Sequence, residues 1–366
     1  MPGGTRLKEE VLTTSACSLC GACLDWCPYL KNLEDHLVMR FDCPLQEGRC
    51  YSVCPRTLTD WEPIEARYLP DAPPTTEVGT CLAVYQVKAT PPVPAQQDGG
   101  TVTALVKTAL EEKLVEAALL TGARDALTPS SYIAFHSSEI EKAAGSRFLA
   151  SPGLRTWTEA QQKGITSLAV VGRPCQVQAL RKMQFNRPPD QPELDVISIG
   201  LFCMWSLSWE FKDYLARQYP DVNISRMTIP QHGIELSTSA GAISLPIEKV
   251  REFIRPGCTY CLDMTSELAD ISIGALEAVP GWNTVIVRSQ RGAELLDKAR
   301  NSGTLVVEEY PSAEWERLLQ ASLNKKTRGL TALEEAVAAG RMKSFLDLSS
   351  PRYQQILARA ERRAKS

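Results

Sequence analysis

Twelve cysteines constrain this chain more than any other feature, because their spacing dictates where thiols can converge. Seven fall within the first 54 residues: Cys17, Cys20, Cys23 and Cys27, then Cys43, Cys50 and Cys54. Pro28 and Pro55 directly follow the last member of each run. Four more are dispersed, as Cys175, Cys203 and the C-x-x-C pair Cys258 and Cys261, and Cys81 stands by itself. Clustered thiols of this kind read as a disulfide framework in an oxidising compartment and as metal or redox ligands in a reducing one.

Composition decides between those two readings. The first 16 residues carry Arg6, Lys8, Glu9 and Glu10 and no apolar run, so no secretory signal is predicted. The most apolar stretch, Val196 to Leu207, is too short to span a bilayer and is broken by Gly200 and Cys203. A cytoplasmic location without a membrane span is therefore expected, and the thiols are read as metal ligands. The net charge of −3 argues against a nucleic-acid partner, whose binding face is usually strongly basic. A chain of 366 residues is long enough for two or three domains.

The pattern along the chain predicts an α+β and α/β organisation. Residues 1–62 form a cysteine-dense unit with too thin a core to fold without its metal. Residues 63–76 are proline-rich and read as a linker. A core over 77–310 opens with a strand from Cys81 to Val87 and a turn at Pro91, Pro92 and Pro94. A helix after Gly99-Gly100 carries Val102, Leu105, Val106, Leu110 and Leu114 at helical spacing. Strands at Ser167–Val171 and Asp195–Phe202, with a helix over Gln176–Met183 between them, make a βαβ unit. Val222–Leu245 alternates as a small antiparallel excursion. Further strands are predicted at Ile271–Ile273, Thr284–Arg288 and Leu305–Glu309, with a helix at Ala293–Asn301. Residues 311–366 read as helices broken near Gly329 and Pro351.

The amino-terminal C-x-x-C-x-x-C-x-x-x-C-P spacing is that of bacterial ferredoxins, in which the last cysteine of one run serves the other cluster. On that pattern Cys17, Cys20, Cys23 and Cys54 hold one 4Fe-4S cluster. The second set is irregular. Cys27, Cys43 and Cys50 supply three thiolates, and Glu47 stands where a further cysteine is expected. Three completions remain open: carboxylate ligation by Glu47, a 3Fe-4S cluster, or Cys81 folding back. A zinc ribbon would need two separated C-x-x-C pairs, which this arm lacks.

The rest of the chain resembles the beta subunits of coenzyme F420 hydrogenases and dehydrogenases. The resemblance is carried by Val171-Gly172-Arg173-Pro174-Cys175-Gln176-Val177-Gln178-Ala179-Leu180-Arg181 and by Ile199-Gly200-Leu201-Phe202-Cys203. It continues through Arg255-Pro256-Gly257-Cys258-Thr259-Tyr260-Cys261-Leu262-Asp263 and Glu267 to Gly274. Gly281 to Arg288 and Asp98 to Leu105 complete it. The resemblance implies an oxidoreductase that binds FAD and a 4Fe-4S cluster in the core, with a ferredoxin-like arm in front. It assigns Cys175, Cys203, Cys258 and Cys261 to the core cluster. Read from the residues alone, Cys175 and Cys203 each follow a strand and would emerge at the same edge of a parallel sheet.

For the flavin, Gly99 and Gly100 before a helix leave room for close approach, and Thr101 and Thr103 add hydroxyls. Ser146 and Arg147 match a second segment, where the family commonly has lysine at the position of Arg147, and Ser151-Pro152 follows. No G-x-G-x-x-G fingerprint is present. His36, His136 and His232 lie outside these motifs and are read as ordinary histidines. Trp205 and Trp209, four residues apart, are read as packing residues at helical spacing. The basic end with Arg359, Arg362, Arg363 and Lys365 reads as a solvated helix face.

The expected function is electron transfer between a two-electron hydride carrier, such as a deazaflavin, and one-electron carriers through two or three clusters. Expected partners are a ferredoxin or the redox subunits of a hydrogenase, formate dehydrogenase or heterodisulfide reductase-like complex. Two rivals are a relay subunit with no substrate of its own and a ferredoxin-dependent reductase of a small organic molecule.

Overall fold

The computed structural model describes residues 3–93, 96–230 and 233–364; Pro94, His232 and Lys365 lie outside them. The strands are β1 (Leu30–Leu33), β2 (His36–Met39), β3 (Ala83–Ala89), β4 (Ala117–Ala123), β5 (Pro129–Ala134), β6 (Ser167–Gly172) and β7 (Asp195–Leu201). They continue with β8 (Ile224–Thr228), β9 (Gly233–Thr238), β10 (Gly241–Pro246), β11 (Ile271–Ala275), β12 (Asn283–Val287) and β13 (Leu305–Glu309).

Eight of these strands form one mixed sheet in the order β13-β3-β12-β11-β7-β6-β4-β5. The inner strands β11, β7, β6 and β4 run parallel, and both edges are antiparallel. The expected βαβ unit is present: β6 and β7 pair in parallel, and the helix Pro174–Phe185 joins them. That helix starts at Pro174 because proline at the first helical position lacks only an N–H that would be unpaired anyway.

Alternating side chains give the sheet two apolar faces. Ala118, Leu120, Ala169, Ile197 and Ile199 face the helices Thr101–Glu111 and Gln290–Asn301, with Leu105, Val106, Leu295 and Leu296 opposite. Ala117, Leu119, Leu168, Val170 and Val196 face the other way. They pack with Ala179, Leu180 and Met183 and with Leu7, Val11, Leu30 and Val53 of the cysteine-rich arm. The arm thus shares a hydrophobic core with the sheet. Within it, β1 and β2 make a two-stranded hairpin. The excursion folds as the antiparallel sheet β10-β9-β8.

Three sequence expectations change. The stretch read as a linker contains the helix Glu62–Tyr68, whose Ile64 packs with Leu69, Val177 and Leu268. Trp205 and Trp209 precede the helix Glu210–Gln218, so their spacing is not helical, although both do pack into a local apolar cluster. Gly329 does not break a helix, because Ser312–Ala338 runs through it. A Cβ there would lie 2.8 Å from the Cys261 carbonyl oxygen. The glycine is required by close passage of the helix over the core cysteine loop rather than by a turn. Pro351 does mark a boundary, at the start of the helix Pro351–Ala364. No helix among the described residues is long and apolar enough to cross a membrane.

Candidate functional site

The carboxyl ends of β6 and β7 lie side by side, and Cys175 and Cys203 emerge just beyond them. This is the end of an open α/β sheet where ligands usually bind. The one-turn helix Pro256–Thr259 and the residues just after it bring Cys258 and Cys261 to the same place: the thiols of Cys258 and Cys175 act on Cys203, and those of Cys261 and Cys175 act on Cys258. Burial pushes the Cys203 thiol up to about 12, against the opposing charges of Lys325 and Arg173. Cys261 behaves differently. Burial pushes it up, but Lys325 and then Arg56 outweigh that effect, and the thiol ends below its ordinary value.

The arm supplies two further groups. Cys23 is pushed well above the ordinary thiol value by burial and then by Cys20, Cys54, Cys17 and Cys50. Burial likewise raises Cys54 to about 12. Cys17, Cys20, Cys23 and Cys54 together line one cavity, whose remaining wall includes Leu7, Val11 and Leu37. Backbone N–H groups are already aimed at sulfur, from Leu19 to Cys17 and from Arg56 to Cys54, both at 3.4 Å. The second arm group is more exposed. Cys50 is raised to about 11 by burial and then by Cys27 and Cys43, and all three are only half-buried.

Glu47 is exposed, and it is not among the groups acting most strongly on Cys50. Cys81 lies elsewhere, packed with Val78, Met264 and Ile286 and beside Arg288.

Cysteines 17, 20, 23 and 54 face one another around an apolar-walled cavity, and 175, 203, 258 and 261 meet at the sheet end. Iron–sulfur clusters are held by thiolates, and hydrogen bonds to the sulfurs, such as those from Leu19 and Arg56, tune them. The donor sets fit such clusters. Among the described residues no three His, Cys, Asp or Glu side chains are arranged to hold a single metal ion.

The arm and core groups are held against each other by close backbone passage. A Cβ at Gly257 would lie 2.6 Å from the Ala16 carbonyl oxygen and 2.8 Å from that of Cys17. Gly21, at φ +92, runs equally close to Pro152. The Cys20 carbonyl accepts a hydrogen bond from the Leu154 N–H at 3.0 Å. Arg255 Nη1 donates to the Asp35 carboxylate at 2.7 Å in a buried pair, and its Nη2 reaches the Cys17 carbonyl at 3.4 Å. Lys182 Nζ donates to the Cys54 carbonyl at 2.7 Å. Sequence reasoning missed these buried cations, as it missed Arg56 and Lys325. No local signal marked them: Lys325, for example, lies among Asn324, Lys326, Thr327 and Arg328.

The residues nominated for the flavin divide into two sets. Gly100, at φ +70, caps the helix Thr101–Glu111 at the same end of the sheet as the core cysteines. The chain itself accounts for this turn. A Cβ at Gly99 would meet Asn283 Oδ1 at 2.7 Å, and Thr101 donates its hydroxyl proton to the Val87 carbonyl at 3.2 Å. Thr103 is buried. Ser146 is exposed, and Arg147 folds back to donate to the Ser146 and Ala144 carbonyls.

A cavity of about 530 Å³ opens on the other side of the cysteines, in the size range of ligand sites. Arg124, Arg155, Ser131, Ser151, Thr158 and Trp209 are among its lining residues. Asp25 and Glu159 line it too, and Arg155 Nε already pairs with Asp25 at 2.8 Å, so its charges are balanced and the lining alone does not select a phosphate-bearing ligand. Ser151 and Pro152 join the cavity to the arm's Cys20 loop.

Comparison with known proteins identifies the family. Residues 84–157 match the model for the coenzyme F420 hydrogenase/dehydrogenase beta subunit N-terminal domain, and residues 165–313 match that for its C terminus. The chain belongs to this family, and it is an oxidoreductase. It is 33% identical over 215 residues to the coenzyme F420 hydrogenase subunit beta of Methanosarcina barkeri, covering 57% of this chain and 74% of that one.

One subunit of the F420H2 dehydrogenase of Methanosarcina mazei is 26% identical, over 83% of this chain and 88% of its own. The coenzyme F420-dependent sulfite reductase of Methanocaldococcus jannaschii is also 26% identical, but this chain spans only 46% of its length. A chain of the F420-reducing NiFe hydrogenase complex of Methanosarcina barkeri superimposes with a TM-score of 0.68 at 27% identity, covering 73% of this chain and 96% of that one.

Proposed function

We propose that this chain passes electrons between a two-electron hydride carrier and one-electron partners, with FAD at the sheet end and 4Fe-4S clusters on the core and arm cysteines. The flavin supplies the change from two-electron to one-electron transfer, and the clusters supply the single-electron steps. The observation that carries the reading is the succession of cysteine groups. Core cysteines 175, 203, 258 and 261 adjoin arm cysteines 17, 20, 23 and 54, and these adjoin the outer group 27, 43 and 50. The protein's own task is to hold these sulfurs in order, with Cys20, Cys23, Cys54 and Cys261 buried and the outer three half-buried.

The hydride carrier is reduced coenzyme F420, the cofactor named in the family and its relatives. The outer group faces a partner, either a ferredoxin or another redox subunit, as the structural relative is itself part of a hydrogenase complex. The test is anaerobic reduction of the purified chain with reduced coenzyme F420. Bleaching of flavin and cluster absorbance on mixing is expected. Absorbance that stays unchanged with the deazaflavin and changes only with a co-purifying subunit would overturn this in favour of a relay without a substrate of its own.

A further inference from the structure

One helix joins the two inner cysteine groups. Cys175 is the second residue of the helix Pro174–Phe185, and Lys182 follows seven residues later, on the same face and about 10 Å along the axis. The Lys182 side chain leaves that helix for the arm and is almost fully buried. Its Nζ donates to the Cys54 carbonyl at 2.7 Å, to Thr57 Oγ1 at 2.9 Å and to Thr59 Oγ1. The Thr57 carbonyl, at 3.4 Å, is a weaker fourth acceptor. Both threonine hydroxyl protons are already committed, from Thr57 to the Tyr51 and Cys54 carbonyls and from Thr59 to the Thr57 carbonyl. Lys182 must donate at all three short contacts, which takes the three N–H groups of an ammonium.

Asn186, just past the end of the same helix, donates its Nδ2 proton to the Ser52 carbonyl at 3.0 Å. The helix thus grips the segment 52–59 at two points, while its first turn carries a core thiol. Cys175 lies near enough for its charge to act on Cys17 and Cys20. Arg255 makes a different tie: its short bonds go to Asp35 between β1 and β2, and it reaches the Cys17 carbonyl only at 3.4 Å. An apolar side chain of similar volume fills a buried site at less cost than an ammonium. What Lys182 adds is directional. It fixes where the Cys54 backbone sits relative to the helix that bears Cys175.

We propose that Lys182 is a positioning residue for electron transfer, which fixes the separation between the core and inner arm cysteine groups by clamping the Cys54 carbonyl to the helix that carries Cys175. The inference rests on the reading that both groups hold 4Fe-4S clusters. Electron transfer between two centres slows steeply as they move apart, so a rigid bridge from one ligand to the other sets its rate. No bond forms or breaks in that step. One centre is oxidised and the other reduced by the same electron, and Lys182 acts only through the Cys54 backbone.

The experiment is EPR of the full chain, purified anaerobically and fully reduced at neutral pH, as wild type, Lys182→Met and Thr59→Val. Iron and sulfide are measured on each sample. Two reduced clusters close together split each other's signals, and the part of that splitting abolished in Cys261→Ser belongs to the core and inner arm pair. Lys182→Met removes all three donors, whereas Thr59→Val removes one acceptor at a half-buried position. At unchanged iron, the splitting of that pair should narrow or vanish in Lys182→Met and narrow less in Thr59→Val. Wild-type splitting in both variants at full iron would overturn the proposal, as would an iron-replete wild type without it. Loss of arm iron from both variants would also overturn it, since Lys182 would then serve assembly rather than spacing. If Lys182→Met alone loses iron, Thr59→Val decides: a narrower splitting supports the clamp and an unchanged one overturns it. A wild-type chain without iron would instead refute the cluster reading itself.

Discussion

The inner arm group and the core group each gather four thiols, but in opposite ways. In the arm, Cys17, Cys20 and Cys23 come from one turn-rich loop and only Cys54 comes from elsewhere, so local spacing does most of the work. In the core, the thiols come from the ends of two parallel strands and a distant turn, and only the sheet topology unites them. Both groups carry buried cations: Lys182 donates to the Cys54 carbonyl and Arg255 reaches that of Cys17 on the arm side, while Lys325 donates to the Cys203 carbonyl on the core side. The difference teaches that similar cysteine sets can be assembled by local spacing or by sheet topology alone.

The largest effects should come from removing one group at a time. Cys20→Ser and Cys261→Ser should each cost about four irons per chain, with the other inner group retained. An iron assay on each variant checks this, and loss of all iron from either would mean the groups do not assemble separately. Next in size is the contact between the groups. Gly257→Val puts a branched side chain where a Cβ already lies 2.6 Å from the Ala16 carbonyl. Urea unfolding should show a loss of roughly 2–4 kcal/mol, with arm fluorescence from Trp26 changing before the core unfolds.

Gly329→Ala tests the core side alone. Its methyl group would meet the Cys261 carbonyl at 2.8 Å, and a cost of about 1–3 kcal/mol is expected in the same assay. An unchanged midpoint would show that the long helix can shift without disturbing the cysteine loop.

The smallest effect lies away from both groups. Asp195, at the start of β7, pairs with Arg291, and the hydrogen bond from Arg291 holds its carboxyl below the ordinary value. The pair is largely exposed, so Asp195→Asn should cost less than about 1 kcal/mol at neutral pH. A depressed carboxyl stabilises the fold above its unfolded value and loses that contribution as pH falls through the folded one. Wild type and variant should therefore converge in acid, as measured by unfolding midpoints at neutral and low pH.

Much of the core was legible in the sequence because strand and helix periods there are clean. β13 matches its expected span, and β6 and β7 fall within a residue of theirs. The common edge for Cys175 and Cys203 followed from that βαβ unit alone. Gly329 was misread because a glycine that admits a neighbouring backbone looks like one that ends a helix. The linker was misread because Pro63 sits in the first turn of Glu62–Tyr68, where proline is tolerated.

The arm's docking on the sheet, and the cations at Arg56, Lys182, Arg255 and Lys325, depend on contacts between segments far apart in the chain. No local period records those contacts. The cavity lined by Arg124 and Arg155 was missed for the same reason, as it forms only when β4, β5 and the arm meet.

The central claim is that three cysteine groups and one flavin make this chain an electron carrier. Quantifying iron, acid-labile sulfide and flavin in anaerobically purified full-length protein tests it most directly. The account predicts about eleven to twelve irons and one FAD per chain, the lower figure if the outer group holds a 3Fe-4S centre. About four irons, or iron without flavin, would contradict it.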